Sequence, residues 1–295
     1  MAFFSHSHLA LILHCAPLSL CPYLFAAELP DLGIVPRDLT LPPFTEGTPA
    51  AGKRTLQKTT GWEKTAVQHS VYLPPEWQQG GRFPVLVEFA GNGNYKNAFG
   101  DTSTGRVEDA SLGYGISGGR EMIWVVMPFV EVRSDGSRGN AVTWWGDIAE
   151  TKRYCIATLR DICTRFGGDE KKVVLSGFSR GAIACNYIGL HDDEISRLWC
   201  AFICHSHYDG VRKWSYPESD AASALRRLAR LGDRPQFISH EGSTAATEAF
   251  LKSSGIVGRW TFEPLPFRNH SDQWVLCDLP IRRTLRRWLS SVLDQ

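Results

Sequence analysis

The chain has 295 residues, with 32 Lys and Arg against 31 Asp and Glu and a formal net charge of +1 at pH 7. A hydrophobic fraction of 43% with 21% charged residues is ordinary for a globular protein, so one large domain with a sizeable core is the expectation. The balanced charge provides no bulk field for nucleic acid or an anionic membrane, and it favours a small neutral or locally charged substrate.

The N-terminal segment differs from the rest of the chain. Residues 9–27, "LALILHCAPLSLCPYLFAA", are apolar, the first Lys or Arg is Arg37, and two alanines precede the polar "ELPDLG". This pattern is typical of a secretory signal, so residues 1–27 are predicted to be removed and the protein to be secreted or periplasmic, without stable membrane association. Because no Lys or Arg precedes the apolar run, an uncleaved anchor and a misassigned start codon stay open as alternatives.

Cysteine usage fits an exported protein without requiring it. Two of the 8 cysteines lie in the predicted signal, and an even number remains: Cys155, Cys163, Cys185, Cys200, Cys204 and Cys277. They form no C-x-x-C pair and no zinc-ribbon spacing, so most are expected to be small buried apolar residues.

Residues 28–64, rich in Pro, Gly and Thr, are predicted to be an extended lead-in, and residues 65–295 to form the domain. Within the domain, β-rich runs alternate with helical patterns. The predicted strands are 68–74, 83–91, 122–130, 173–179, 198–205, 235–240 and 259–266. The predicted helices are 148–166, 180–190, 219–231, 244–254 and 279–293. Strands that alternate with helices indicate an α/β fold, with a mostly parallel sheet covered by helices on both faces.

The segment "VVLSGFSRGA" places Ser179 where a buried strand stops and a helix starts. Gly177 and Gly181 stand two positions before and after it, where a sharp strand-to-helix turn leaves no room for side chains. Function gathers at the carboxyl ends of parallel strands, and the helix N-terminus stabilises negative charge there. Ser179 is therefore the predicted nucleophile.

A nucleophilic serine needs a base and an oxyanion hole. "FRNHSDQW" places His270 in a loop between the last predicted strand and the last helix, where the order Ser, acid, His puts the base. "FAGNGN" forms a Gly-rich turn after an earlier strand, so the backbone N–H groups of Asn92 and Arg180 are predicted to form the oxyanion hole. The turn lacks the G-K-[ST] ending of a phosphate loop.

In this context "FAGNGN", "GFSRGA" and "RNHSDQW" resemble the α/β-hydrolase family. Over roughly residues 65–293 the chain looks like secreted esterases related to feruloyl esterases and polyhydroxyalkanoate depolymerases. The resemblance implies hydrolysis of a carboxylic ester, without a cofactor, by acylation of Ser179. Two departures are that only one glycine follows Arg180 and that no Gly-x-x-Asp follows "PQFISH". The Ser-Arg pair also resembles glucuronoyl esterases, in which the Arg helps to hold the oxyanion.

Two carboxylates compete for the acid that orients His270. Glu241 follows the strand that precedes the one leading to His270, and its extra methylene extends its reach. Asp209 leaves the preceding strand through "CHSHYDG", a position from which members of the fold sometimes supply the acid. Asp272 and Asp278 are weaker candidates, because a carboxylate so near His270 in sequence has difficulty reaching its Nδ1.

Two other functions stay open. His205, His207 and Asp209 in "HSHYD" resemble the H-x-H-x-D zinc motif of metallo-β-lactamases, which would activate water for hydrolysis. Gly210 stands where that motif has its next His, and no metal site is predicted. A non-catalytic carbohydrate-binding homologue is the other alternative.

Aromatic residues give the only indication of the substrate. Trp144 and Trp145 in "VTWWGD" precede the helix that leads to the nucleophile strand, and Trp214 and Tyr216 follow "HSHYDG". Indole rings stack on sugar faces and phenolic rings, so Trp144 and Trp145 are predicted to bind a saccharide or aromatic ester. Packing of these rings onto the core is the alternative.

Overall fold

The structure, a computed structural model, describes residues 28–295. The predicted signal at 1–27, with its two cysteines, lies outside the described residues. The strands are β1 Arg54–Gln57, β2 His69–Tyr72, β3 Phe83–Phe89, β4 Tyr95–Lys96, β5 Thr102–Ser103, β6 Ile123–Met127, β7 Phe129–Val132, β8 Arg138–Ala141, β9 Gly168–Phe178, β10 Ala201–His205, β11 Gln236–Glu241 and β12 Trp260–Leu265. The helices are α1 Leu112–Ser117, α2 Ile148–Phe166, α3 Arg180–Tyr187, α4 Asp193–Ser196, α5 Ala221–Leu228, α6 Ala245–Ser254 and α7 Pro280–Leu293.

Eight strands form the central sheet, in the order β1-β2-β6-β3-β9-β10-β11-β12. β2 is antiparallel to both of its neighbours, and every pairing from β6 to β12 is parallel. The carboxyl ends of β3, β9, β10, β11 and β12 therefore lie along one edge of the sheet. In sheets of this kind ligands bind at that edge.

Helices cover both faces of the sheet. Successive side chains of a strand point to opposite faces, so each strand contributes to the core on both sides. In β3, Val85 and Val87 pack in a core cluster with Leu159 of α2, whereas Leu86 packs in a second cluster with Leu285 of α7. The predicted fold class, a mostly parallel sheet with helices on both faces, is confirmed.

Three parts of the architecture differ from the sequence prediction. β1 lies inside the predicted lead-in and pairs with β2, so the sheet starts before residue 65. The predicted strand 122–130 is broken at Pro128, since proline cannot donate to the ladder, and β7 pairs with β8 in a separate hairpin. The helix α1 was not predicted, because "LGYGIS" has two glycines and little helical spacing.

Glu88, the next-to-last residue of β3, explains why α1 forms. Its carboxylate accepts hydrogen bonds from the backbone N–H groups of Leu112 and Gly113, at 3.2 and 2.8 Å, and from the indole N–H of Trp124 at 2.8 Å. The carboxylate therefore holds the first turn of a helix whose own sequence favours it weakly.

The six cysteines of residues 28–295 are free, and Cys155, Cys185, Cys204 and Cys277 are buried. In the same part of the chain, none of the helices has the length and apolar character that crossing a membrane requires.

Candidate active site

Ser179 occupies a tight turn between β9 and α3. Its φ is +54° and its ψ is −114°, a conformation that residues with a side chain rarely adopt, and its backbone N–H donates to the carbonyl of His205 at 2.9 Å. A Cβ at Gly177 would lie 2.1 Å from the carbonyl oxygen of Gly181, and a Cβ at Gly181 would lie 1.8 Å from that of Phe89. Both positions therefore require glycine, and the turn presents the Ser179 side chain at the edge of the sheet.

His270 lies in the loop after β12, and its Nε2 is 2.9 Å from Ser179 Oγ. Its backbone N–H donates to Asp101 Oδ2 at 2.9 Å, and the Asn269 amide donates to Asp101 Oδ1 at 2.8 Å. The ring packs against Phe178, at 4.9 Å between centroids. These contacts hold the imidazole in place, with its Nε2 within hydrogen-bond distance of Ser179 Oγ.

Glu241, the last residue of β11, supplies the carboxylate that faces His270. Its Oε1 is 2.6 Å from His270 Nδ1, and the two side chains are 16% and 12% exposed. Burial on its own would raise the pKa of Glu241, but the hydrogen bond from His270 and the charge of the neighbouring imidazoles hold that pKa well below its usual range. The carboxylate is ionised at neutral pH and fixes the tautomer with a proton on Nδ1.

The competing carboxylates have other partners. Asp209 is 1% exposed and accepts two hydrogen bonds from Arg227, from Nε at 2.9 Å and from Nη2 at 3.1 Å. Asp272 accepts from the backbone N–H of Ser111 at 3.1 Å, and Asp278 pairs with Arg283 at 2.6 Å. The expectation that Asp209 orients His270 is therefore corrected, because the buried Arg227 takes both of its oxygens.

The two predicted oxyanion donors lie on adjoining segments. Arg180 is the first residue of α3, and Asn92 follows the end of β3, which the Gly181 contact brings against the turn. The Arg180 guanidinium donates to the carbonyls of Trp144 at 2.5 Å and Gly91 at 3.0 Å, and it lies 4.1 Å from the ring centroid of Phe129. Burial lowers the pKa of Arg180 to about 9. Its side chain fastens the loops around the turn, unlike the oxyanion-binding Arg that the glucuronoyl resemblance implies.

The H-x-H-x-D residues do not converge. His205 Nδ1 bonds Ser239 Oγ at 2.9 Å, His207 Nδ1 bonds the carbonyl of Ser206 at 2.9 Å, and Asp209 pairs with Arg227. Residues 28–295 contain no group of three His, Cys, Asp or Glu side chains arranged to hold a metal ion. The zinc alternative therefore has no geometric support, because His205, His207 and Asp209 each bond a different neighbour.

The comparisons with known proteins rest on structure alone. No family model matches the chain, and no curated protein is significantly similar in sequence. Similar solved structures include a ferulic acid esterase (16% identity, 82% of this chain and 96% of that chain, TM-score 0.50) and esterase B from Lactobacillus rhamnosis (14%, 82% and 88%, 0.52). A feruloyl esterase module from Clostridium thermocellum complexed with sinapinate is also similar (14%, 86% and 94%, 0.51).

The chain has the α/β-hydrolase fold. At such low identities the likeness establishes this fold alone. The chain spans 62% of the length of a thermostable esterase and 35% of that of a dipeptidyl peptidase 4 from Porphyromonas gingivalis. Because esterases and peptidases share the α/β-hydrolase fold, the chemistry has to be argued from the site.

The two tryptophans predicted to bind substrate have different environments. Trp145 is 4% exposed and packs on Tyr187 and Phe129, with centroids at 4.6 and 5.5 Å, so its prediction as a substrate-binding residue is corrected to a core role. Trp144 is half-buried, has a φ of +48°, and its N–H donates to Asn92 Oδ1 at 2.7 Å.

Trp144 begins an arc of half-buried rings, formed with Trp214, His207 and His270, at the edge of the α/β-hydrolase sheet where the parallel strands end. Trp144 lies 5.6 Å from Trp214, Trp214 lies 5.5 Å from His207, and His207 lies 5.1 Å from His270, all between centroids. The arc thus connects the loop of Asn92 with the imidazole that faces Ser179. Sequence analysis missed His207 as an aromatic neighbour of His270, because its spacing suggested a metal ligand.

Two further polar residues at the site were missed. Asp101, in the loop after β4, holds the backbone of His270, and Ser206, directly after β10, lies between Glu241 and His270. Asp101 stands in a segment that the sequence left unassigned. Ser206 had one usable signal, its position at the end of a predicted parallel strand.

Gly181→Ala is expected to abolish folding or to lower the free energy of unfolding by more than about 4 kcal/mol, because the added methyl meets the Phe89 backbone. Gly232→Ala is the matched control, since a Cβ there has nothing within 4 Å and costs only the strain of its positive φ. Soluble yield and urea denaturation measure both. A stable Gly181→Ala protein would show that the turn is not tightly packed.

Asp209→Asn is expected to lower the free energy of unfolding by about 3–5 kcal/mol, because it leaves the buried Arg227 guanidinium with only the solvent-exposed Glu218 carboxylate, 3.6 Å away, as a counter-ion. Urea denaturation of this variant beside Glu241→Gln separates the two carboxylates: the Asp209 variant loses the stability, while the Glu241 variant, at a more exposed position, loses less. An Asp209→Asn protein as stable as the wild type would contradict the structural role.

Proposed function

We propose that the chain is a serine hydrolase that cleaves a carboxylic ester. One observation carries the proposal: an unbroken chain of hydrogen bonds joins Ser179 Oγ to His270 Nε2 at 2.9 Å and His270 Nδ1 to Glu241 Oε1 at 2.6 Å. A serine at such a turn, with its base and an orienting carboxylate in line, has the geometry of nucleophilic acyl transfer. Three of the similar esterases are covered over 88% or more of their own length, whereas the dipeptidyl peptidase is covered over 35%, and this supports the choice of an ester over an amide.

The proposed reaction begins when His270 Nε2 accepts the proton of Ser179 Oγ, which attacks the ester carbonyl. The negative charge then forms on the carbonyl oxygen, beside the first turn of α3, where the N–H groups of Arg180 and Asn92 donate to it. His270 returns the proton to the leaving alcohol, and water hydrolyses the acyl-enzyme by the same route. Glu241 keeps the imidazole oriented and stabilises its protonated form.

The ring arc supports an aromatic or carbohydrate-linked ester as the substrate. A cavity of about 190 Å³ is lined mainly by apolar surface, including Trp214 and His207, and it adjoins the site through His207, whose ring centroid lies 5.1 Å from that of His270. Apolar cavities of about 150 Å³ accept a benzene ring in other proteins, so this cavity has room for a phenolic ring or a sugar-sized group. Burial, followed by the charge of His270, lowers the pKa of His207 to about 4, so its ring is neutral at physiological pH and available for stacking.

Export and the single-domain organisation belong to the same proposal. The predicted signal and the free, mostly buried cysteines are compatible with a secreted or periplasmic enzyme that forms no disulfides among residues 28–295. The proposal gives the hydrolase domain a start at or before β1. It includes no partner other than the substrate.

Ser179→Ala is expected to lower ester hydrolysis by about 10⁴-fold or more while the fold is kept, because it removes the attacking oxygen and little packing. The assay is kcat/KM on a panel of feruloyl, short aryl and acetylated-sugar esters. Ser176→Ala is the control, since it removes another buried hydroxyl, three residues earlier in β9, that donates to the carbonyl of Val87 at 2.9 Å. Substantial hydrolysis by Ser179→Ala would refute the mechanism.

Trp214→Ala is expected to raise KM about 3- to 10-fold for ring-bearing esters, because a stacking partner of the substrate is lost. KM for acetate and butyrate esters of small alcohols should stay within about twofold, since these have no ring to stack. Comparing the two substrate groups on one variant corrects for any general loss of active protein. Equal increases for both groups would argue against ring recognition by the arc.

A further inference from the structure

Ser206 occupies a place that catalysis by Ser179 alone does not explain. It follows β10 directly, is completely buried, and its backbone N–H donates to the carbonyl of Ser239 at 2.8 Å. Its Oγ donates to Glu241 Oε2 at 2.5 Å and lies 2.7 Å from His270 Nδ1. The hydroxyl therefore touches both the carboxylate and the imidazole of the proposed triad.

The available hydrogens determine which hydrogen bonds the Ser206 hydroxyl donates and which it accepts. The single proton on His270 Nδ1 has two acceptors in reach, Glu241 Oε1 at 2.6 Å and Ser206 Oγ at 2.7 Å. The Ser206 hydrogen is committed to Glu241 Oε2, so its oxygen lone pairs face the imidazole. The three groups close a small ring in which each carboxylate oxygen accepts one hydrogen.

The backbone at Ser206 gives a second, independent indication. Its φ is +86°, in the left-handed region that favours glycine, so the chain keeps a side chain where glycine would relieve strain. Strain at a buried residue persists where the side chain has a use. Here the positive φ occurs at the residue whose hydroxyl reaches the triad.

The Ser206 hydroxyl has a use because the carboxylate that faces His270 belongs to a glutamate. Glutamate has one more rotatable bond than aspartate, so a Glu carboxylate that is held only at Oε1 has more freedom to move than an Asp carboxylate would have. A hydrogen bond to Oε2 removes that freedom and holds Oε1 in line with Nδ1. Charge-assisted hydrogen bonds of this kind are the strong ones.

We infer that Ser206 is a positioning residue of the active site, which locks Glu241 against His270 and supports the imidazole when it takes the proton of Ser179. The inference rests on the proposed function of Ser179, His270 and Glu241. It reassigns the "HSHYD" segment: the serine between the two histidines serves the site, whereas the two histidines and the aspartate bond Ser239, Ser206 and Arg227.

The test compares Ser206→Ala with Ser206→Gly. Both should lower kcat on an ester about 10- to 100-fold with KM changed less than about twofold, because the lost hydrogen bond to a charged group acts on the imidazole and not on the substrate. Both should lower the rate of labelling by a fluorophosphonate by a similar factor. Ser206→Gly relaxes the backbone, so it provides a folded variant if Ser206→Ala is unstable.

Two controls separate positioning from a structural role. Ser239→Ala removes a neighbouring buried hydroxyl that bonds His205 and should keep wild-type kcat. In a Glu241→Gln background, Ser206→Ala should lower kcat less than threefold further, because the two residues act as one unit.

Three outcomes would overturn the inference: wild-type kcat in Ser206→Ala, recovery of kcat in Ser206→Gly, or full additivity with Glu241→Gln. Failure of the wild-type protein to hydrolyse any ester or to be labelled would instead refute the proposed function, and the inference with it.

Discussion

The proposed active site depends on one close backbone contact, that between Gly181 of α3 and the carbonyl of Phe89 at the end of β3. A methyl group at Gly181 would lie 1.8 Å from that oxygen, so only glycine lets the helix descend onto the sheet. The contact has two consequences. It forces Ser179 into its strained turn, and it brings the segment after β3, with Gly91 and Asn92, beside the first N–H groups of α3. The proposed nucleophile and the proposed oxyanion donors therefore come from the same packing constraint. The Arg180 guanidinium then donates hydrogen bonds to the carbonyls of Gly91 and Trp144, which stabilises their loops beside the contact.

Around that contact, environment decides what each carboxylate does. Glu241 ends one parallel strand and Asp209 follows another; Asp209 is fully buried, and Glu241 is partly exposed. Burial, against the opposing effect of Arg227, raises the pKa of Asp209 to about 6, and its two oxygens are taken by that arginine. Glu241 faces His270 and Ser206, and the hydrogen bond from His270 keeps its pKa low. The first carboxylate contributes to stability and the second is available to orient a base. Residue type alone favours Asp209, but the position of its partner excludes it.

The sequence predicts the parallel sheet, the turn at Ser179 and the loop of His270, because each follows from local chemistry: strand periodicity, glycine sterics and chain order. It does not predict α1, since that helix depends on the distant Glu88. The sequence ranks Glu241 and Asp209 almost equally as the carboxylate that orients His270, since the Arg227 that binds Asp209 comes 18 residues later, on helix α5. Trp145 was misassigned because a Trp-Trp pair in a loop does not reveal which ring turns inward. Ser206 and Asp101 escaped notice because their roles consist of long-range contacts that no motif records.

The most direct test of the proposed mechanism is peptide mapping after treatment with a fluorophosphonate. Tryptic cleavage after Lys172 and Arg180 releases the peptide "VVLSGFSR", whose fragment ions distinguish Ser176 from Ser179. The proposed mechanism predicts one adduct per chain, on Ser179, and its loss when the protein is unfolded before treatment, because the turn and His270 activate the oxygen. An adduct on another serine, or no adduct on the folded protein, would contradict it.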